Sequence, residues 1–293
     1  MFEQLGLIGC GLMGGSFALA AKRSGLVRRV VGYSKSPSTT ERARQLGVID
    51  VEAPSALLAA AGADLILLAV PVAATETTLR AIRHLATAET LIMDVGSTKA
   101  DVVAAARTAL RDRFGSFVPA HPIAGREVAG VEHADADLYR GRQAILTPVE
   151  QTLARQAHAA QAVWEAVGCQ VRTMSPEAHD TAFAAVSHLP HLLAFAYMNG
   201  IAAQPAGREF LSLAGPGFRD FSRIAAGDPA MWRDVLLANR HELLAQAQQF
   251  QAALHAFERA VERADGPALE EMIRQARDSR ASWSLDRSAP PAA

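Results

Sequence analysis

The chain has 293 residues, of which 50% are hydrophobic and 20% are charged, and its formal net charge is -1. At about 150 residues per domain the length suggests two domains, and the near-neutral balance excludes the basic surface that nucleic acid or an anionic membrane attracts. Cys10 and Cys169 belong to no CxxC or Cys/His cluster, so no metal or disulfide framework is indicated. The start, MFEQ, lacks the basic stretch and long apolar core of a signal peptide, and no run is apolar enough to span a bilayer. A soluble, cytoplasmic chain without nucleic-acid or membrane partners is expected.

The first predicted strand, Leu5-Gly6-Leu7-Ile8, runs into Gly9-Cys10-Gly11-Leu12-Met13-Gly14, and an Ala-rich helix follows from Ser16 to Lys22. Strand, glycine turn and helix in that order suit a dinucleotide. Gly9 permits the turn, Gly11 leaves room for a pyrophosphate, and Gly14 lets helix and strand pack closely. The helix start then offers free N–H groups to the phosphates. Gly9, Gly11, Leu12, Met13 and Gly14 are the expected cofactor contacts. A second strand, Arg29 to Tyr33, ends at Ser34, 20 residues after Gly14. NAD-binding folds usually place a carboxylate near this point to hold the ribose 2′-hydroxyl. Here Ser34 and Lys35 stand instead, with Thr39, Thr40 and Arg42 behind them. A hydroxyl and an ammonium accept a 2′-phosphate, so the expected cofactor is NADP or NAD, with NADP favoured.

A helix over 37–46 and a smaller one near 54–61 come next. The apolar run over 64–71 reads as a buried strand ending at Val70-Pro71, and a continuous run of this kind suits a parallel sheet covered on both faces. Val70 and Pro71 are expected to wall the dinucleotide, a plain turn being the other reading. Further elements are a helix over 75–85, a strand over 91–95, a helix over 100–111, and strands over 117–120 and 143–147. A helix over 151–167 and a last strand over 169–174 complete the series. The alternation predicts an α/β, Rossmann-type, doubly wound parallel sheet, with ligands outside the carboxyl ends of its strands. At one such end, in Asp94-Val95-Gly96-Ser97-Thr98-Lys99, Ser97 either faces the ligands or caps the following helix. At another, in Ala120-His121-Pro122-Ile123-Ala124-Gly125, His121 is placed for proton transfer, because its ordinary pKa of about 6.5 lies near working pH.

With these residues in view, GLIGCGLMGGS, DVGSTK and HPIAGREVAGVEHADADLY resemble the prephenate and arogenate dehydrogenases of tyrosine biosynthesis. The resemblance runs from Leu5 to about Asn239.

Beyond Ser175-Pro176 the strand pattern ends, giving expected domains over 1–175 and 176–278. The second is all α-helical, and a disordered tail is expected over 279–293. A helix over 177–202 carries Ser187-His188-Leu189-Pro190-His191, with its histidines three apart on one face. No carboxylate or cysteine completes a metal site locally. The segment matches the family's active-site helix, which implies that His191, with His188, binds substrate. The block Gly217-Phe218-Arg219-Asp220-Phe221-Ser222-Arg223-Ile224-Ala225 implies that Arg223 holds a substrate carboxylate, a task suited to its planar fork. Arg219 and Arg233 read as surface residues and Trp232 as core. One long helix over 232–263 and a short one near 268–277 follow; their apolar stripe needs a partner face, and the family's helical domain forms a homodimer.

The resemblance implies an NAD(P)-dependent oxidative decarboxylation of prephenate, a small-molecule substrate, to 4-hydroxyphenylpyruvate. His121 is then the base, and Ser97 orients it or the substrate hydroxyl. Arogenate dehydrogenase is the nearest alternative. A β-hydroxy-acid dehydrogenase would carry a lysine base in place of the HPIAG and FSRIA blocks. A dinucleotide-sensing protein without catalysis would not need His121, His191 and Arg223 together.

Overall fold

The structure, a computed structural model, describes residues 1–284. The chain forms two compact units, divided between Leu243 and Leu244.

The first unit opens with β1 (Phe2–Ile8), which passes through the glycine turn into α1 (Leu12–Arg23). Then come β2 (Val27–Tyr33), α2 (Pro37–Gln45), β3 (Val51–Glu52), α3 (Ala56–Ala60), β4 (Leu65–Leu68) and α4 (Thr75–Ile82). β5 (Leu91–Asp94), α5 (Ala100–Leu110) and β6 (Phe117–Val118) complete the winding. The six strands are all parallel, in the order β3-β2-β1-β4-β5-β6. The winding reverses between β1 and β4, so the carboxyl ends of these neighbours frame a crevice, the usual ligand position in such sheets.

Alternation along the central strands builds a core on each face. Leu65 and Leu67 of β4 join Leu5, Leu7, Phe17 and Met93 on one side. Ile66 and Leu68 join Ile8, Ile92 and Phe117 on the other. Successive side chains of a strand point to opposite faces, and helices cover both, which is why β4 is apolar throughout.

The parallel sheet ends at β6. The strand expected over 117–120 divides at Pro119, and its second part becomes β7 (Ala120–Pro122). β7, β8 (Gln143–Leu146) and β9 (Gln170–Thr173) form a separate sheet, with α6 (Ala154–Ala166) between β8 and β9 in the chain. β7 and β8 are antiparallel, and β8 and β9 are parallel. Two causes meet here: Pro119 has no N–H, and side chains from the end of β5 claim both main-chain groups of Ala120. Its N–H donates to Asp94 Oδ1 at 2.9 Å, and its carbonyl accepts from Lys99 Nζ at 2.8 Å.

The helix expected over 177–202 is three pieces: α7 (Pro176–Phe183), a π-helical turn (Ala184–His188) and α8 (Leu189–Ala202). Pro190, in the first turn of α8, has no amide to give to the preceding turn, and a widened turn absorbs the mismatch. α9 (Gly207–Ser212), α10 (Pro216–Ser222), a 3₁₀ turn (Arg223–Ala226) and α11 (Pro229–Ala238) follow, and then α12 (Arg240–Glu262) begins. The long helix expected over 232–263 is therefore divided at Asn239. The side chain of Asn239 turns inward to donate to the Asp180 carbonyl at 2.7 Å and meets His188 Nδ1 at 3.1 Å.

The second unit holds the rest of α12 and α13 (Gly266–Ser282). Asp265 caps α13 by accepting from the Ala268 amide at 3.0 Å. α13 is longer than expected and takes in 279–282, assigned above to a tail; the part of that tail from 285 on lies outside the described residues. Among the described residues, no helix is long and apolar enough to cross a membrane.

Candidate active site

The turn after β1 is shaped by backbone proximity. Gly9 has φ +102°, and a Cβ there would overlap the Ala69 carbonyl. A Cβ at Gly14 would overlap the Gly9 carbonyl oxygen and lie 2.9 Å from the Ala69 Cβ. At Gly11 a Cβ would meet nothing within 4 Å. Two glycines thus press helix against strand, and the third faces open space. α1 starts with no side-chain cap and no acidic residue in its first turn. Its first amides and positive dipole end are therefore available to an anion, and the residues present fit a dinucleotide pyrophosphate. Leu12 is buried and Met13 half-buried, and the Met13 carbonyl accepts from the buried Tyr139 hydroxyl at 2.7 Å.

Ser34 ties the end of β2 to this turn. Its Oγ accepts from the Cys10 amide at 2.8 Å, and its amide donates to Thr40 Oγ1 at 3.0 Å. Lys35 is exposed beside it. Burial pushes the Cys10 thiol up to about 11, so Cys10 is a neutral packing residue. Val70 is half-buried and Pro71 exposed, directly past β4, where the Ala69 amide donates to the Ile8 carbonyl at 2.8 Å.

At the end of β5, Asp94 and Lys99 form a buried ion pair of 2.5 Å. Asp94 Oδ2 also accepts from the Gly96 amide at 2.8 Å. The pair therefore grips the Gly96 loop and Ala120, the residue before His121. Ser97, half-buried in that loop, does not cap α5. Asp180 of α7 does so instead, with Oδ1 accepting from the Lys99 amide at 2.8 Å and Oδ2 from the Ala100 amide at 2.9 Å.

Asp180 also faces His179 Nδ1 at 2.7 Å, and His179 Nε2 lies 2.8 Å from His121 Nδ1. Phe183 packs against both imidazoles, stacking on His179 at 4.4 Å. Burial, followed by the charges of His179, Lys99 and His188, holds the His121 pKa well below the ordinary histidine value. Burial also lowers His179, against the hydrogen bond to Asp180. At Asp180 burial acts to raise the pKa, but His179 and the Ala100 and Lys99 amides outweigh it and keep the carboxyl below its usual range. His188 is fully buried, and its pKa is lowered to about 4, chiefly by burial.

On the helical side of the site, His191 Nδ1 donates to the Ser187 carbonyl at 2.8 Å, and its ring stacks on Trp232 at 3.6 Å. Trp232 also meets His188 edge-on at 6.4 Å, so this buried residue is a wall of the site as well as core. Burial lowers the His191 pKa. Arg223, exposed at the start of the 3₁₀ turn, pairs with Glu127 of the loop after β7, and both charges are felt at His191. Arg219 and Arg233 pair with their neighbours Asp220 and Asp234 on the surface.

His121, His188, His191 and Arg223 thus converge, with Ser97 on the adjoining loop. Asp94, Lys99, His179 and Asp180 are additions that the sequence reading did not single out. The five-residue spacing of Asp94 and Lys99 within DVGSTK was a visible signal. The adjacent His179-Asp180 pair, ahead of the SHLPH segment, was another. What each carboxylate would meet was not visible.

Two family models cover most of the chain: the prephenate dehydrogenase nucleotide-binding domain over residues 17–173 and the prephenate dehydrogenase dimerization domain over 175–275. Prephenate dehydrogenase of Bacillus subtilis is 34% identical over 96% of this chain and 76% of its own length. Cyclohexadienyl dehydrogenase of Zymomonas mobilis is 31% identical over 99% of both chains. The crystal structure of Aquifex aeolicus prephenate dehydrogenase with hydroxyphenyl propionate and NAD+ superposes with a TM-score of 0.90. It is 34% identical, covering 96% of this chain and 98% of that one. Glycine turn, histidine cluster and both halves of the sequence agree: the chain belongs to the prephenate dehydrogenase family of oxidoreductases.

Proposed function

We propose that the protein catalyses the NAD(P)-dependent oxidative decarboxylation of prephenate to 4-hydroxyphenylpyruvate, a step toward tyrosine. The observation that carries this reading is His121 on β7, half-buried and with its pKa held well below the ordinary histidine value, grouped with His188, His191 and Arg223. The substrate is a cyclohexadienol with a hydroxyl on C4 and a carboxylate on C1. His121 takes the proton of the hydroxyl, a role for which its lowered pKa leaves it ready at neutral pH. Ser97 orients the hydroxyl or His121. Arg223 leaves Glu127 for a substrate carboxylate, and His191 fixes the other end of the substrate against Trp232, while the fully buried His188, expected from the sequence to bind substrate, packs behind that wall instead. Loss of carbon dioxide returns an electron pair to the ring, which becomes aromatic, and the C4 oxygen becomes the phenol oxygen.

Gly9, Gly11, Leu12, Met13 and Gly14 would hold the pyrophosphate, with Ser34 and Lys35 at the ribose and Val70 and Pro71 along the other side. Bound there, the nicotinamide supplies the acceptor for the hydrogen on C4. Ser34 and Lys35 in place of a carboxylate support NADP over NAD. The division into residues 1–175 and 176–278 is supported by the bounds of the two family models. A homodimer through the helical part is supported by the dimerization-domain match and by the exposed Tyr197, Phe210, Leu213 and Leu237. Arogenate, with an amine where prephenate has a ketone, is the second substrate to test, since one full-length relative is named for cyclohexadienyl compounds generally.

The test is reduced-cofactor formation by the purified protein with prephenate and arogenate, each with NAD and NADP. Turnover with prephenate is expected, and silence in all four mixtures from folded protein would overturn the proposal. His121→Ala is expected to lower kcat by about 10²–10⁴-fold while cofactor affinity holds.

A further inference from the structure

We infer that His179 and Asp180 are positioning residues that lock His121 in the one neutral form whose Nε2 is free to accept the substrate proton. The inference deepens the proposed reaction and rests on His121 being its base.

The chain of reasoning starts at α5. Asp180 accepts two main-chain amides at the first turn of that helix, those of Lys99 and Ala100. A carboxylate so placed is an acceptor on both oxygens. His179 Nδ1, 2.7 Å from Asp180 Oδ1, must therefore be the donor. Neutral His179 then has a bare Nε2, which can only accept. The atom facing it at 2.8 Å is His121 Nδ1, so Nδ1 carries the His121 proton. Nε2 is left with its lone pair. The stack of His179 on Phe183 and the packing of Phe183 against His121 keep both rings from turning.

The same order serves the step itself. The substrate O–H bond breaks as an N–H bond forms at His121 Nε2, and no electrons are exchanged with the protein. The imidazolium so formed keeps its Nδ1–H on His179, whose other nitrogen donates to Asp180. The Lys99 charge, although paired with Asp94, opposes this positive charge. Asp180, relayed through His179, is the anion that answers it. The arrangement follows the logic of a histidine base oriented by an acceptor on its far nitrogen, with a second imidazole inserted between base and carboxylate.

Nitrogen-15 NMR of the full chain labelled at histidine, at pH 8 without substrate, reads the proton directly. His121 is assigned by the loss of its signals in His121→Gln. The expected result is a protonated Nδ1 and a lone-pair Nε2 on His121. In kinetics, His179→Phe, which keeps a ring but no acceptor, is expected to lower kcat by about 10²-fold or more, with the substrate KM and cofactor affinity held. His179→Gln, whose amide oxygen can still accept the Nδ1 proton, is expected to recover about tenfold of that loss. A proton on Nε2 of His121 in the unaltered protein, or a His179→Phe enzyme with undiminished kcat, would overturn the inference. The NMR reading needs no turnover, so Nδ1 protonation in a protein inactive on both cyclohexadienols would sink the proposed reaction and not the tautomer lock.

Discussion

Acid should weaken this fold through His188, by an amount that can be worked out. Its ring is fully buried against Trp232, and Asn239 Nδ2 faces its Nδ1 at 3.1 Å. An amide nitrogen only donates, so Nδ1 must accept, and a second proton there would set two donors against each other. Burial and this contact agree with a folded-state pKa of about 4, against 6.5 for an ordinary histidine. The folded pKa is depressed, so between these values the unfolded chain binds more protons than the folded one. Stability is fully present above pH 6.5 and falls as the pH drops toward 4. The whole shift corresponds to about 3 kcal/mol, of which about 2 kcal/mol is lost by pH 5. The assay is urea unfolding of the protein and of His188→Gln at pH 7.5 and pH 5. His121, His179 and His191, whose pKa values are also lowered, are present in both proteins, so the difference reads His188 together with its coupling to them. The unaltered protein should lose about 2 kcal/mol more than the variant between the two pH values. Equal losses would mean that His188 titrates in the folded state as it does in water, and would refute the reasoning.

Arg223→Gln should raise the substrate KM most, because removing one member of an ion pair buried by ligand costs roughly 2–5 kcal/mol; an unchanged KM in steady-state kinetics would assign the carboxylate to another cation. Gly14→Ala places a methyl group against the Gly9 carbonyl and the Ala69 side chain, and should cost about 1–3 kcal/mol in stability, read by thermal melting, with weaker dinucleotide binding by titration. Ser34→Asp keeps an acceptor for the Cys10 amide but repels a 2′-phosphate, so the NADP to NAD ratio of kcat/KM should fall by about tenfold or more; a constant ratio would mean that Ser34 does not face the ribose.

The glycine turn was legible because everything it needs is local. A buried strand, glycines at fixed offsets and an uncapped helix start are properties of Leu5 to Lys22 alone. The same holds for β4, whose unbroken apolar run announces cover on both faces. Apart from the widened turn before Pro190, the departures are set by partners far away in sequence. Pro119 divides a strand because Asp94, 26 residues before Ala120, claims the Ala120 amide. Asn239 breaks a helix that its periodicity would have continued, because its side chain satisfies Asp180 and His188, 59 and 51 residues earlier. His121 was legible from its residue type and its place after a predicted strand, whereas His191 and Arg223 were legible only through the resemblance of their segments to the prephenate and arogenate dehydrogenases. His179 and Asp180 escaped because their work is done through contacts with α5 and β7, and neither contact leaves a periodic trace. Ser97 could equally have faced the ligands or capped α5, and it does not cap, since Asp180 takes that place from another helix.

The buried Asp94–Lys99 pair bears on how such a site could be moved to another protein. Ala120 is held by both of its main-chain groups, one by each member of the pair, and Gly96 is held by the same carboxylate. The alignment of His121 with the nucleotide-side loop is therefore written at the end of β5, not in the HPIAG loop that displays the histidine. Transplanting that loop alone onto a related dinucleotide fold would carry the reactive ring without its ruler. The smallest portable unit is the β5 terminus with Lys99 together with β7, and a designer who wants the base in register must copy two segments that the chain keeps apart.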